Sequence, residues 1–339
     1  MAGWLLRTIF TIRPKDTDFD RLGVRSAPAQ RQGLHAIVEA FRQGYNLTLE
    51  DDASGTLEAR LAQRVPDAAF QGFAHEGVGM ALTVLDFFRY RERVERHMRC
   101  VEGGHEFLMA LGVGFALARL PWVRGGVEDY ARRLPAGFDG LVLNGYGFHE
   151  GCFRSGGAIE RVRVPDFSPD GKRCFDHGLG RAMWFMNGAS LDRIADTLTR
   201  IDEGRHADLW AGLGTAACYA GRAYPDPGEY KGVVARAKEM AGEKHREPFG
   251  LGVVLAAMLQ DRAKVETPWV QHASEVVVGV PLPAAARIGS DAWAAAAAAP
   301  AVYGRYEQYK SVAERVFAAL AASWNRDART EATPQRAEA

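Results

Sequence analysis

HEGVGMAL (His75–Leu82) has five successors built round the same pair of glycines: ALGVGFAL (110–117), LNGYGFHE (143–150), DHGLGRAM (176–183), WAGLGTAA (210–217) and FGLGVVLA (249–256). The first glycines of the six pairs are Gly77, Gly112, Gly145, Gly178, Gly212 and Gly250, so successive copies lie 35, 33, 33, 34 and 38 residues apart. Glycine makes up 37 of 339 residues, and chance alone gives roughly four G-x-G pairs at that abundance. The even spacing, rather than the count, is the signal. A seventh copy lies upstream at Gly44, with Asn46 in place of the second glycine. A period of about 34 residues is that of a tetratricopeptide-like helical hairpin, and Trp210, Leu213 and Gly214 keep the W-x-x-L-G spacing of its first helix.

The fold expected is therefore all-α: about seven hairpins, stacked as an open solenoid or closed into a helical toroid. Each glycine inside a helix costs about 1 kcal/mol relative to alanine, so thirteen of them must be repaid by close helix–helix approach. Second helices are expected in SGTLEARLAQRV (54–65), VLDFFRYRERVERHM (84–98), GVEDYARRL (126–134), SLDRIADTLTRI (190–201) and PGEYKGVVARAKEM (227–240), which carry apolar residues at helical spacing. Ser54 and Ser190 stand where N-caps belong. One copy departs from the scheme: AIERVRVPDFSPDG (158–171) alternates apolar and charged residues and then meets prolines, which predicts a short extended or β-like insert near 157–170. YEQYKSVAERVFAALAASW (306–324) reads as an amphipathic helix closing the stack. The organisation expected is an N-terminal arm (1–30), one helical-repeat domain (31–322) and a disordered polar tail (323–339).

Lys+Arg and Asp+Glu are equal at 42 each, which argues against a nucleic-acid partner, since phosphate tracking needs a basic excess. MAGWLLRTIFTI (1–12) is interrupted by Arg7 and too short to span a bilayer, and no other window is long enough, so no stable membrane insertion is expected. Cys100, Cys152, Cys174 and Cys218 show no C-x-x-C spacing, as suits reduced, buried thiols in a cytoplasmic protein.

Stacking sets equivalent positions side by side, so columns across copies are more informative than neighbours along the chain. The column before the first glycine holds Glu76, Leu111, Asn144, His177, Ala211 and Phe249, and Asp176 stands one residue earlier. Two residues past the second glycine stand Ala81, Ala116, His149, Ala182, Ala216 and Val254, where His149 is the sharpest departure. His149, Glu76 and Asp176 are the candidate acid–base groups. Asn144, Tyr146, His177, Arg181, Trp184, Trp210, Asp86 and Phe148 are the candidate substrate contacts, with the aromatic residues lining an apolar cleft. The structural alternatives are that Glu76 sits at a helix start, favoured by the macrodipole, that Asp176 caps a helix, and that His149 is a hydrogen-bonded core residue. The runs DTDFD (16–20) and EDD (50–52) lack the D-D-x-x-D spacing of a magnesium site, and no H-x-x-x-H or H-x-x-H occurs. Neither a metal nor a cofactor is expected.

FQGFAHEGVGMALTVLD (70–86), FLMALGVGFALARLP (107–121), LVLNGYGFHEGCF (141–153), FDHGLGRAMWFMNGASLDRI (175–194) and ADLWAGLGTAACYAG (207–221) together resemble the family called domain of unknown function 1702. Its members are known chiefly from bacterial enediyne polyketide gene clusters and related secondary-metabolite settings. The resemblance implies a part in assembling or maturing a specialised metabolite with a long unsaturated chain. Glu76, Asp86, His149, Asp176, Arg181, Asp208 and Trp210 match the family pattern, whereas His75, Glu150, Cys152 and His177 depart from it. The function expected is an accessory protein of enediyne- or polyene-type biosynthesis that holds a hydrophobic intermediate, or a partner enzyme of the pathway, in a helical cleft. The alternative is a cyclase or isomerase acting on a hydrophobic polyene or isoprenoid-like substrate by acid–base chemistry.

Overall fold

A computed structural model describes residues 9–88, 92–120, 126–298 and 307–331. Among the described residues the chain is helical and has no strand. After a short N-terminal arm come α1 (Pro28–Glu50), α2 (Ser54–Arg64), α3 (Ala68–Phe88), α4 (Arg93–Met98), α5 (His105–Arg119), α6 (Gly126–Ala131) and α7 (Asp139–His149). They are followed by α8 (Pro169–Met186), α9 (Leu191–Leu198), α10 (His206–Tyr219), α11 (Pro227–Arg262), α12 (Pro268–Ala273), α13 (Leu282–Ala298) and α14 (Glu307–Glu331). α11 breaks at Gly242, where φ is 58° and ψ −171°, a conformation open essentially to glycine alone.

The spaced glycines lie inside α3, α5, α7, α8, α10 and the second part of α11, with Gly44 in α1, and they explain how these helices sit side by side. Residues two apart point about 200° away from each other round a helix, so a G-x-G pair removes the side chain from two nearly opposite faces. The contacts use both. A Cβ placed on Gly79 would lie 2.1 Å from the carbonyl oxygen of Met109 in α5, and one on Gly112 would lie 1.9 Å from that of Glu76 in α3. The second glycine of one helix thus meets the first glycine of the next. The same reciprocal crossing joins Gly44 with Gly77, Gly114 with Gly145, Gly147 with Gly178, Gly180 with Gly212, and Gly214 with Gly252. At each, an added Cβ would meet a carbonyl oxygen at 1.8–2.2 Å. The helices touch backbone to backbone, so no rotamer change could make room for a side chain.

This pairing corrects the sequence alignment at both ends. Gly44 faces the following helix at Ala74, so it plays the part of a second glycine rather than a first. In the last copy Gly252 faces back onto Ala211, while Gly250 meets the side chain of Leu320 in α14. The aligned position there is Gly252 rather than Gly250. A G-x-G pattern cannot show by itself which glycine faces which neighbour.

The connecting helices α2, α4, α6, α9 and the first part of α11 pack outside this row. α9 is typical, burying Leu191, Ile194 and Leu198 on one stripe. VLDFF belongs to α3 rather than to a second helix, and the second helix of that copy shrinks to α4. Residues 150–168 are the irregular segment, and they contain most of the insert expected near 157–170. The chain continues α7 as a π-helical turn, Glu150–Arg154, then makes a 3-10 turn at Ile159–Arg161, with extended backbone at Val162. No β-ladder forms here, because the segment has no strand partner and its buried contacts are with helices. α14 runs to Glu331, into the segment expected to be a disordered tail; residues 332–339, like residues 1–8 of the N-terminal arm, lie outside the described residues. Ser190 occupies the N-cap position of α9 without a side-chain cap bond, and Ser54 is the first residue of α2 rather than its cap. Cys152, Cys174 and Cys218 are buried, but Cys100 is exposed, contrary to expectation. No described helix is long and apolar enough to cross a membrane.

Candidate functional site

The row of helices curls, so that side chains distant in sequence meet in its interior. Gly33 of α1 lies against the backbone of Arg222, just past α10, and the rings of Phe73 in α3 and Tyr219 in α10 meet edge-on at 5.0 Å. The central link is an ion pair between α8 and α3. Arg181 Nη2 donates to Glu76 Oε1 at 2.7 Å and Nη1 donates to Asn144 Oδ1 at 2.9 Å. Its guanidinium lies 4.9 Å from the centre of the Phe148 ring. The Arg181 and Glu76 side chains are only 8% and 5% exposed. Burial pushes the Glu76 carboxyl above its ordinary value and outweighs Arg181, which pulls it down.

A cavity opens on each side of this pair. The first, about 740 Å³ with its mouth, is walled by Phe107, Leu111, Leu255, Met258 and Trp293 and reaches Asp139, Asn144, Cys174, His177, Arg181, Thr215 and Tyr309. The second, about 630 Å³ with its mouth, is lined by seven phenylalanines, among them Phe41, Phe73, Phe115, Phe148 and Phe185, and by Glu76, Cys152 and Arg181. Arg181 is on both walls. Burial pushes the Cys152 and Cys174 thiols up, so neither is a ready thiolate.

His177 is fixed in the first cavity from two sides. Thr215 Oγ1 donates to the Ala211 carbonyl at 3.2 Å, so it accepts from His177 Nε2–H at 2.9 Å. His177 Nδ1 then accepts from the Tyr309 hydroxyl, also at 2.9 Å. Burial first, and then the charge of Arg181, lowers this imidazole to about 3, so it stays neutral. Tyr309 itself lies 5.6 Å below the guanidinium of Arg173, which pairs with Asp208 at 3.3 Å.

The column before the first glycine is therefore the interior one: Glu76, Leu111, Asn144 and His177 all reach a cavity wall. Arg181 and Phe148 are also there. The other candidates are not. Asp176 turns away to the 3-10 turn that precedes α10, accepting from Arg205 Nε at 3.0 Å, and lines neither cavity; it lies within α8 and caps no helix. Glu76 is mid-helix in α3 rather than at its start. Asp86 accepts from the backbone N–H groups of Arg93 (2.7 Å) and Val94 (3.2 Å) and from Arg93 Nη1 (2.9 Å), tying down the start of α4. Tyr146 packs on Phe167 and Phe175, Trp184 near Tyr224, and Trp210 on His245 and Phe249, all away from the cavity walls.

His149 is buried with no hydrogen-bond partner on either ring nitrogen. Glu150 Oε1 is 3.7 Å from Nδ1, too far to accept, and burial lowers the imidazole. It stacks on Phe153 at 4.9 Å and lines neither cavity, so His149, Glu76 and Asp176 do not share one pocket. The residues missed by sequence reading are Thr215, Tyr309, Asp139 and the phenylalanines from the arm, α1, α3 and α5. Tyr309 lies past the fading of the period, and phenylalanine at helical spacing gives no hint of whether it faces core or cavity. Among the described residues, no three His, Cys, Asp or Glu side chains lie close enough together to hold a metal ion.

Fold and site define an all-helical protein whose interior holds two apolar cavities divided by a buried ion pair. A family profile described as protein of unknown function (DUF1702) matches residues 1–317, and the chain belongs to that family. No curated protein and no solved structure matched the chain.

Proposed function

We propose that this protein is a helical-repeat shell, of tetratricopeptide-like period and closed on itself as a toroid, that holds a hydrophobic intermediate of specialised metabolism. The enediyne- or polyene-type setting comes from the family resemblance. The reciprocal glycine crossings support the repeat, and the contacts of α3 with α8 and α10 support closure. The observation that carries the binding reading is the pair of apolar cavities meeting at Arg181, since small-molecule sites are mostly apolar with a few converging polar groups. The test is metabolite profiling of a deletion strain, followed by native mass spectrometry of the purified protein with the compound that accumulates. Binding in a one-to-one complex is expected, and a Leu111→Trp variant, which fills the first cavity, should lose it. If no pathway compound accumulates and none binds, the reading fails. The helical surface could instead dock a pathway enzyme, and that arm is read by co-purification from the same strain.

A second reading, an isomerase or cyclase, is favoured by buried ionisable groups in hydrogen-bond reach on the cavity walls: Glu76 with Arg181, and His177 with Tyr309. In that case the Glu76 carboxylate takes an allylic proton from the polyene and returns it to another carbon of the same chain, so that one double bond moves and nothing else is consumed. Conversion of the accumulated compound by wild-type protein but not by Glu76→Gln supports this reading; turnover surviving in the variant removes it.

A further inference from the structure

We infer that the bound molecule is uncharged, and that Glu76 is the residue that selects for this by cancelling the cation shared by both cavities. The inference rests on the apolar-ligand reading above. Among the described residues lining the two cavities, Arg181 is the one Arg or Lys side chain. A guanidinium in an apolar cavity is a strong receptor for carboxylate or phosphate, because its donors match two oxygens at once and water is absent to compete. Here two of its five N–H groups are already committed, and its charge is paired with a carboxylate. Nη2 serves Glu76 at 2.7 Å, Nη1 serves Asn144 at 2.9 Å, and the Phe148 ring covers one face at 4.9 Å.

With Glu76 ionised against Arg181 at 2.7 Å, a ligand anion placed beside them would put two negative charges on one positive charge in a water-poor interior, which is unfavourable. Among the described residues, no other lining group offers compensation. His177 is neutral, its Nε2–H is committed to Thr215 and its Nδ1 accepts from Tyr309, while the acidic side chain on the first wall is Asp139 and that on the second is Glu76. The remaining surface is aliphatic and aromatic. The chemistry that fits is a neutral hydrocarbon or conjugated polyene carrying at most a hydroxyl, carbonyl or ester oxygen. Fatty acids and prenyl diphosphates have tails as apolar as this but fail at the head.

Three probes with one conjugated chain separate charge from shape: all-trans-retinol, methyl retinoate and retinoate, each titrated at about pH 8 against tryptophan fluorescence, which Trp293 on the first wall should report. For the wild-type protein, retinol and methyl retinoate should bind alike, and retinoate at least about tenfold more weakly, or 1.4 kcal/mol. Glu76→Gln keeps the side-chain shape and exposes the charge of Arg181, so retinoate should then bind more tightly than its ester. Far-UV circular dichroism and the urea midpoint establish that the variant is folded, and if it is not, the wild-type comparison of ester with acid decides alone. Retinoate bound by wild type as tightly as its methyl ester overturns the inference and leaves the apolar-ligand reading standing. An unchanged acid-to-ester ratio in folded Glu76→Gln also overturns it. If none of the three probes binds, both the inference and the reading fail.

Discussion

Replacing Gly112 by alanine adds one methyl group where α5 and α3 cross. The new Cβ would lie 1.9 Å from the Glu76 carbonyl oxygen and 2.8 Å from the Met80 nitrogen. Both are backbone atoms, so relief to an ordinary contact of about 3.4 Å requires the helices to part by about 1.5 Å. A gap of about 0.5–1 Å already forfeits a quarter to a half of a dispersion contact, and overpacking a core costs about 1–3 kcal/mol. A rigid crossing belongs at the upper end of that range. Alanine returns about 1 kcal/mol of helix propensity, which leaves a net loss of about 2 kcal/mol. Gly232→Ala is the internal control. Gly232 also lies in a helix, but an added Cβ meets nothing within 4 Å, so the same change should stabilise by about 0.5–1 kcal/mol. Urea unfolding of the two variants beside wild type reads both signs. If Gly112→Ala is stabilising like Gly232→Ala, the helices do not touch at their backbones, and the reciprocal crossings are wrong.

The remaining predictions concern the buried charges. Arg181→Met leaves Glu76 without its partner and should cost about 3–5 kcal/mol. Because the Glu76 carboxyl is already raised, removing Arg181 raises it further, so the loss should be larger at pH 8 than at pH 5 in urea titrations; equal losses would count against the pair. Asp86→Ala removes the acceptor for two backbone N–H groups at the start of α4 and should cost about 1–3 kcal/mol in thermal or urea unfolding, with no effect on ligand binding. His177 is depressed from 6.5 to about 3 in the folded state, so its contribution is fully present above about pH 6.5 and is lost as pH falls towards 3. His177→Gln should flatten the stability-versus-pH curve across that window, and an unchanged slope would refute the neutral, cavity-bound imidazole.

How far the site was legible depended on what each residue type could do locally. Glu76, Asn144 and His177 were found because stacking turns one sequence column into one spatial stripe, and ionisable residues stand out in a column that is otherwise apolar. Asp86 and Asp176 were just as prominent in the sequence, yet Asp86 is satisfied by backbone donors at a helix start and Asp176 by Arg205. A carboxylate's partner is not written beside it. His149 broke an alanine column and is buried as expected, but it faces Phe153 rather than a cavity.

The sequence by itself determined the helical class and most of the glycines at which helices cross, because glycine two residues apart clears opposite faces of a helix and the pairs recur at a nearly even interval. Only the tertiary structure decided which glycine meets which, that α8 reaches α3 across the interior, and that Arg181 parts two apolar cavities. The physical reason is range. Helix periodicity and backbone clearance act within a few residues, whereas the pairing of Arg181 with Glu76, 105 positions apart, follows from how the whole row curls.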